Sequence, residues 1–562
     1  MRLLLISFCL AQSLFTQAET IRPPYKVGTP PADAGRGLVR VSPNEIRHYP
    51  GKGGTRYILS LDNGATWSSK PLPPSYPGST LLKKETSAIT PLPTPDSFLK
   101  IEPAYRGDNP KQGMFVTYDG LDGSWKKLTK PDGSPILPKG ILRNPIVFNQ
   151  GKRWLIPAHS GGCFTYFSDD QGKSWQRSNK VNAPAHKPGG VHLGSRWNHG
   201  MVGATLAELK DGRIWMLART AQDFFYESFS DDHGTSWSPA QPSRFHGNNV
   251  LGTLLRLDDG RLLFLWNNAN SLPELARANN GREDVFNNRD AAHAAISEDD
   301  GKTWIGFREI ALDHRRNESD YAVFQGSNDR GVQQVEALQL DKNRVLLSLG
   351  QHPTHRQLLI LNLRWLYQTE RQSDFTSGAQ DWSTHQFFSK VRGHLGYNRT
   401  PGPKVVTRDG HSALHLIHTD DPEILNNKQG ATWNFPSATA GTLSTRLMLE
   451  PHAGGTKICL LDHWLNPTDT TVDQFSQFAL HIDAQGKSPD GTPLLTPGKW
   501  QTLTFQWDQK SCTVSNDSGS SLKLPLNLPT SNGVSYIHFS TTSETPTTKG
   551  LLIQNTKMTA SP

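Results

Sequence analysis

The feature that most constrains the fold of this chain is a short turn motif that returns along its first three hundred residues. Residues 60–67 read Ser-Leu-Asp-Asn-Gly-Ala-Thr-Trp, 168–175 Ser-Asp-Asp-Gln-Gly-Lys-Ser-Trp, 230–237 Ser-Asp-Asp-His-Gly-Thr-Ser-Trp and 297–304 Ser-Glu-Asp-Asp-Gly-Lys-Thr-Trp. A fifth copy, 117–125, carries one extra residue. The closing tryptophans, Trp67, Trp125, Trp175, Trp237 and Trp304, fall 50 to 67 residues apart, about the length of one four-stranded propeller blade. The spacing inside each copy has a mechanical reason. The Asp carboxylate accepts hydrogen bonds from turn N–H groups, Gly supplies the positive φ of a tight hairpin, and Trp packs into the blade. Apolar or alternating runs at 164–167, 224–229 and 291–296 stand where a strand would enter the turn. An EF-hand calcium loop would need more ligands and a closing Glu, which these boxes lack.

A chain of 562 residues is long enough for two or more units, each with its own core. Fifteen Trp, 49 Gly and 39 Pro, with 20% charged residues, favour many short strands over helices. The expected fold is all-β. Strand-like segments at 345–349 and 358–363 supply a sixth blade without a box, giving a six-bladed β-propeller over residues 25–367. From residue 374 to 562 the boxes stop and Ser/Thr-rich strands continue, which reads as a β-sandwich of concanavalin-like or jelly-roll-like type. Trp433, Trp464 and Trp500 in this tail are expected to pack in a core, with carbohydrate stacking as the other reading.

Residues 1–18 have the charged start, apolar run and small residues of an export leader cut after about Ala18, so a secreted or periplasmic location is expected. No later stretch is apolar enough for a membrane span. Loss of the leader removes Cys9. It leaves Cys163, Cys459 and Cys512, of which at most Cys459 and Cys512 would pair, with buried thiols as the alternative. The net charge of +8 is spread along the chain, which suits an anionic ligand and argues against nucleic acid. No local metal-ligand spacing, phosphate loop or dinucleotide fingerprint occurs, so neither metal nor cofactor is expected.

The boxes resemble those of the sialidase (neuraminidase) superfamily and its wider set of BNR-repeat proteins, over roughly residues 30 to 367. The resemblance implies three Arg that grip a sialic acid carboxylate, a Tyr nucleophile with a Glu partner, and an Asp acid. Planar guanidinium groups suit a carboxylate, and a neutral Tyr avoids repelling it. Arg219, closing the strand that follows Asp211-Gly212-Arg213, and Arg289, in Asn288-Arg289-Asp290, match two of the family's three Arg. The register of the boxes is expected to place these two on equivalent inner strands. The third lies in an Arg-Ile-Pro motif that this sequence does not have. Arg36 is the positional substitute and Arg143 its rival.

The sequence departs from that pattern at the nucleophile. Gly203 stands at the position of the family Glu, and Gln334 and Glu336 stand where the family Tyr would open the last blade. An inverting reaction, with a carboxylate or His activating water, needs no nucleophile. The candidates are Asp290, Glu336, His199 and His186, while Gln334 orients water or substrate. His186, Asn198 and Asn288 lie in polar, Gly-flanked or strand-entry segments suited to ligand contact. Tyr321 or Tyr226 acting as nucleophile is a second route, and binding without hydrolysis a third. The leading expectation is an exo-acting glycosidase that removes terminal sialic acid or a related acidic sugar. The alternatives are a glycan-binding propeller and a glycosidase or lyase for another acidic sugar.

Overall fold

The computed structural model describes residues 21–31, 37–50, 55–71, 88–91, 98–102, 113–117, 126–127, 132–133, 146–148, 153–170, 174–187, 189, 196, 200–270, 289–318, 331–332, 335–350, 356–388 and 399–561. Within them the protein is all-β, with helical character limited to short 3-10 turns such as Leu363–Tyr367. No helix among the described residues is long and apolar enough to cross a membrane.

Six four-stranded antiparallel sheets come first. Sheet A holds Leu38–Arg40, Ile46–His48, Arg56–Ser60 and Ser68–Pro71, and sheet B holds Ala88–Pro91, Phe98–Glu102, Gly113–Thr117 and Lys126–Lys127. Sheet C holds Ile146–Phe148, Arg153–His159, Cys163–Ser168 and Gln176–Arg177; sheet D holds Val202–Glu208, Ile214–Arg219, Phe224–Ser230 and Gln241–His246. Sheet E holds Thr253–Arg256, Leu262–Trp266, Ala291–Ser297 and Ile305–Leu312. Sheet F is made of Glu336–Gln339, Arg344–Leu349 and Gln357–Asn362, and its fourth strand is Tyr25–Gly28 from the start of the chain. That N-terminal strand ties both ends of the series into one sheet.

The first strands of A, B, D, E and F lie side by side on the inner side of the series. The first strand of A touches those of F and B, and the first strand of E touches those of D and F. Apolar side chains fill the spaces between successive sheets. Phe148, Leu155, Met201 and Met216 join C to D; Trp215, Phe245, Phe264 and Trp304 join D to E; Leu263, Ile296, Leu347 and Leu361 join E to F; and Leu38, Ile46, Leu346 and Ile360 join F to A. A fully buried side chain of this size stabilises by about 1.5–3 kcal/mol.

The boxes link the third and fourth strands, where their sequence predicts. In sheet D, Ser230 Oγ accepts from Gly234 N at 2.7 Å and donates to Asp232 Oδ1 at 2.8 Å, and Asp232 Oδ1 accepts from Ser236 N at 2.8 Å. The boxes at 60–67 and 297–304 repeat these bonds. The turns need two successive left-handed residues: Asn63 and Gly64, His233 and Gly234, Asp300 and Gly301. The fifth copy lies outside the described residues beyond Thr117.

After sheet F come an eight-stranded and a five-stranded sheet. One apolar cluster lies between them, with Leu443, Phe505 and Ile553 from the larger sheet and Trp433, Ile458 and Ile537 from the smaller. Trp433 and Trp464 are fully buried, whereas Trp500 is half-buried and donates to Asp409 Oδ2 at 2.8 Å. Cys163, Cys459 and Cys512 are buried free thiols, so the Cys459–Cys512 pairing does not form. Burial pushes each thiol pKa up to about 12.

Candidate functional site

In an antiparallel sheet the starts of the first and third strands share an end with the finish of the second. The boxes follow the third strands, so they occupy the opposite rim. Arg219, Arg289 and Glu336 all fall on the rim away from the boxes, called here the front rim.

Arg219 closes the second strand of sheet D, opposite Val202. Arg289 stands just before the third strand of sheet E and is fastened by its carbonyl, which accepts from Val332 N at 2.9 Å. The two therefore do not occupy equivalent inner strands. They meet all the same, through the segment that connects D to E. Arg219 Nη1 and Arg289 Nη2 each donate to the carbonyl oxygen of Asn249 at 3.1 Å. Asn249 and Arg289 are buried and Arg219 is half-buried. One backbone oxygen thus holds two guanidinium groups from different sheets at one point, an arrangement matched to a carboxylate with several lone pairs.

Glu336 opens the first strand of sheet F. Its carboxylate accepts from Gly37 N at 3.2 Å and Leu38 N at 3.1 Å. It therefore bridges F to the inward strand of A, immediately after position 36. His48, at the end of the second strand of A, approaches Glu336 Oε2 at 3.9 Å and pairs its Nε2 with Ser348 Oγ at 2.8 Å. Burial lowers the His48 pKa to about 4, against a hydrogen bond to the Tyr49 carbonyl that raises it, so the ring is neutral at pH 7. Sequence reasoning missed His48; its place at a strand end of the rim, in Arg47-His48-Tyr49, was the available signal.

Asp290 has a different setting from its neighbour. Its carboxylate is gripped by Arg399 of the C-terminal unit, Nη1 to Oδ2 at 2.6 Å and Nη2 to Oδ1 at 3.1 Å. Both side chains are almost fully buried. Burial raises the Asp290 pKa, opposed by the Arg399 charge. A carboxylate clamped in this way and shut off from solvent is poorly disposed to take a proton from substrate water. His186 is buried in the segment 182–187, which Gln222 fastens to sheet D by donating to the Pro184 carbonyl at 2.9 Å. Tyr226 packs in the apolar cluster between C and D, which raises its pKa by desolvation and leaves it a core residue. Gly203 lies in a bulge of the first strand of D with φ +65, a backbone that a side chain disfavours. Arg36, Arg143, Asn198, His199, Asn288, Tyr321 and Gln334 lie outside the described residues.

A cleft of about 610 Å³ lies on the box rim between D and E, lined by Trp215, Glu227, Phe229 and Arg244. It is remote from the arginine pair. Its Glu227 carboxylate accepts from Trp215 Nε1 at 3.0 Å and from Gln241 Nε2 at 3.2 Å, a lattice that ties the sheet together.

Comparison with known proteins bears on residues 97–332, which match the BNR repeat-like domain. That segment is similar to BNR-repeat proteins. A search of curated proteins finds no match. Among solved structures, a Trypanosoma rangeli sialidase in complex with 2,3-difluorosialic acid is 12% identical, covering 94% of this chain and 91% of that one, with a TM-score of 0.36. A protein of unknown function from Dyadobacter fermentans is 17% identical, covering 60% and 98%, with a TM-score of 0.36. The Bacteroides ovatus xyloglucan PUL GH43B is 11% identical, covering 96% and 100%, with a TM-score of 0.30.

Proposed function

We propose that this chain is an exported glycosidase that removes terminal sialic acid, or a related acidic sugar, from glycans. In this reading the six four-stranded sheets are the blades of one propeller, the two later sheets form an accessory β-sandwich, and the leader is cut after about Ala18. The single observation that carries the reading is the meeting of Arg219 and Arg289 on the Asn249 carbonyl. Two guanidinium groups fixed at one point, on the rim where the inward strands begin, suit a sugar whose carboxylate is attached at the reacting carbon. Arg36, next to the Glu336-bound backbone of Gly37, supplies the third grip, and His186, Asn198 and Asn288 contact the sugar hydroxyls.

The reaction is hydrolysis by inversion. Glu336 takes a proton from water as the water oxygen bonds to the anomeric carbon, and the glycosidic bond breaks. His199 delivers a proton to the leaving oxygen, and Gln334 orients the water. The two backbone N–H groups on Glu336 hold its carboxylate in place. Gly203 and the core position of Tyr226 favour this route over a tyrosine nucleophile. The same two facts favour a second reading, a propeller that binds acidic glycans without cleaving them.

Hydrolysis of a fluorogenic sialoside tests the reading. Arg219→Ala or Arg289→Ala should lower kcat/KM about 10- to 100-fold, since each removes a charge-assisted hydrogen bond of about 1.5–3 kcal/mol. Glu336→Gln should lower kcat with little change in KM. Proton NMR of the first-formed anomer should show inversion. A wild-type protein that binds sialosides of every linkage and cleaves none would leave the binding reading standing and remove the enzymatic one.

A further inference from the structure

We propose that the cleft on the box rim between sheets D and E is a second glycan-binding site, one that takes an uncharged sugar. The boundaries on either side of it are crossed by one device. Arg153, Arg213 and Arg261 hold the same place in sheets C, D and E, each one residue before the partner of the serine that opens the box. Arg153 reaches from C to the box of D, where its Nη1 donates to the His233 carbonyl at 3.1 Å and to Thr235 Oγ1 at 2.8 Å. Arg261 reaches from E to F and donates to the Lys342 carbonyl at 2.9 Å. Arg213 instead folds back within its own turn and donates to Asp211 Oδ2 at 2.8 Å. The space between D and the box of E is thereby left open, and its volume of about 610 Å³ falls in the range of small-molecule sites.

Two side chains set this cleft apart from the equivalent places in C and E. Trp215 stands where those sheets have Leu155 and Leu263, and Glu227 where they have Thr165 and Ala294. Thr165 is fully used inside the structure, since its hydroxyl donates to the Gly234 carbonyl at 2.7 Å and accepts from Trp237 Nε1 at 2.9 Å. Glu227 is half-buried, and desolvation raises its pKa, a cost that a threonine or alanine in its place avoids. Its two oxygens each accept one bond, from Trp215 Nε1 at 3.0 Å and Gln241 Nε2 at 3.2 Å, which leaves a lone pair on each for a ligand hydroxyl. Arg244, on the fourth strand of D, lines the same cleft, and its one bond, from Nη1 to the Lys302 carbonyl at 2.9 Å, leaves N–H groups to give. The Glu227 and Arg244 charges act on each other. Neighbouring hydroxyls on a sugar ring both donate and accept, so a carboxylate near a guanidinium answers both needs, while Trp215 and Phe229 supply apolar surface for the C–H groups of the ring. Four cationic and four anionic side chains line the cleft, so its charge balances and a polyanion gains little there. The inference holds under either reading of the front rim, because the cleft lies on the opposite one.

The test is saturation-transfer NMR followed by isothermal titration on the full mature chain. The probes are N-acetyllactosamine, maltotriose and xylotriose as neutral sugars and a heparin hexasaccharide as polyanion. At least one neutral probe should bind the wild type, and Glu227→Gln and Arg244→Ala should each weaken it at least tenfold. Arg219→Ala, on the front rim, should leave that affinity unchanged. Glu227→Gln keeps the side chain's shape and an oxygen to accept from Trp215, so loss of binding in a variant that melts with the wild type reports on the site and not on the fold. No saturation transfer to any neutral probe at millimolar concentration would overturn the proposal. Binding kept in full by both folded variants, binding lost in Arg219→Ala, or preference for the heparin fragment over every neutral probe would overturn it as well.

Discussion

Adjacent residues at the front rim meet opposite fates. Arg289 turns to the Asn249 carbonyl, whereas Asp290 turns away to the Arg399 fork. The boxes show the same economy at single residues. Ser230 is buried and serves both as acceptor for Gly234 N and as donor to Asp232. Ser230→Ala should therefore destabilise by about 1–3 kcal/mol, read from the urea midpoint, because it leaves a buried N–H without an acceptor. Asp62 adds a pH signature. Hydrogen bonds from the Thr66 side chain and backbone and from Ser60 lower its pKa to about 2. A carboxylate depressed in the folded state stabilises fully above its unfolded value of about 3.9 and loses that contribution as pH falls through about 2. The difference in thermal midpoint between wild type and Asp62→Asn should hold steady above pH 5 and close between about pH 4 and 2. The thiols of Cys163, Cys459 and Cys512 should be silent to Ellman's reagent in the native mature chain, with all three reacting once it is unfolded.

At the scale of the element, the boxes were legible because their information is local: the Ser230 and Asp232 bonds that close the turn at 230–237 join residues within four positions. The inward placement of the front-rim strands was legible in part for the same reason, since the box fixes which strand comes third. Two things were not. Arg219 and Arg289 come from the second and third strands of their sheets, and what unites them is a backbone carbonyl, which no residue type marks. The partner of Asp290 lies 109 positions further along the chain, so its burial as an ion pair has no local signal. Gly203 illustrates an element overruling a motif. Its φ of +65 belongs to the bulge in the first strand of sheet D, and Gly203→Ala should cost about 1–2 kcal/mol in the same urea assay.

Across the whole molecule, the C-terminal unit is built into the rim rather than hung from it. Besides the Asp290 ion pair, Glu309 N donates to Asn434 Oδ1 at 3.0 Å, Tyr536 donates to Glu309 Oε1 at 2.9 Å, and Arg316 donates to the Trp382 carbonyl at 2.7 Å. Arg399→Ala strands a buried carboxylate and should destabilise by about 3–5 kcal/mol, with both units melting together; Asp290→Ala added to it should recover part of the loss. Anchoring of this kind keeps sheets D and E in register, and with them the two arginines. The carboxylate grip itself is tested most directly by isothermal titration with a sialoside and its methyl ester, which differ only in that charge. The acid should bind at least tenfold more tightly than the ester, and Arg219→Ala or Arg289→Ala should erase the difference. Equal affinity for acid and ester in the wild type would contradict the assignment.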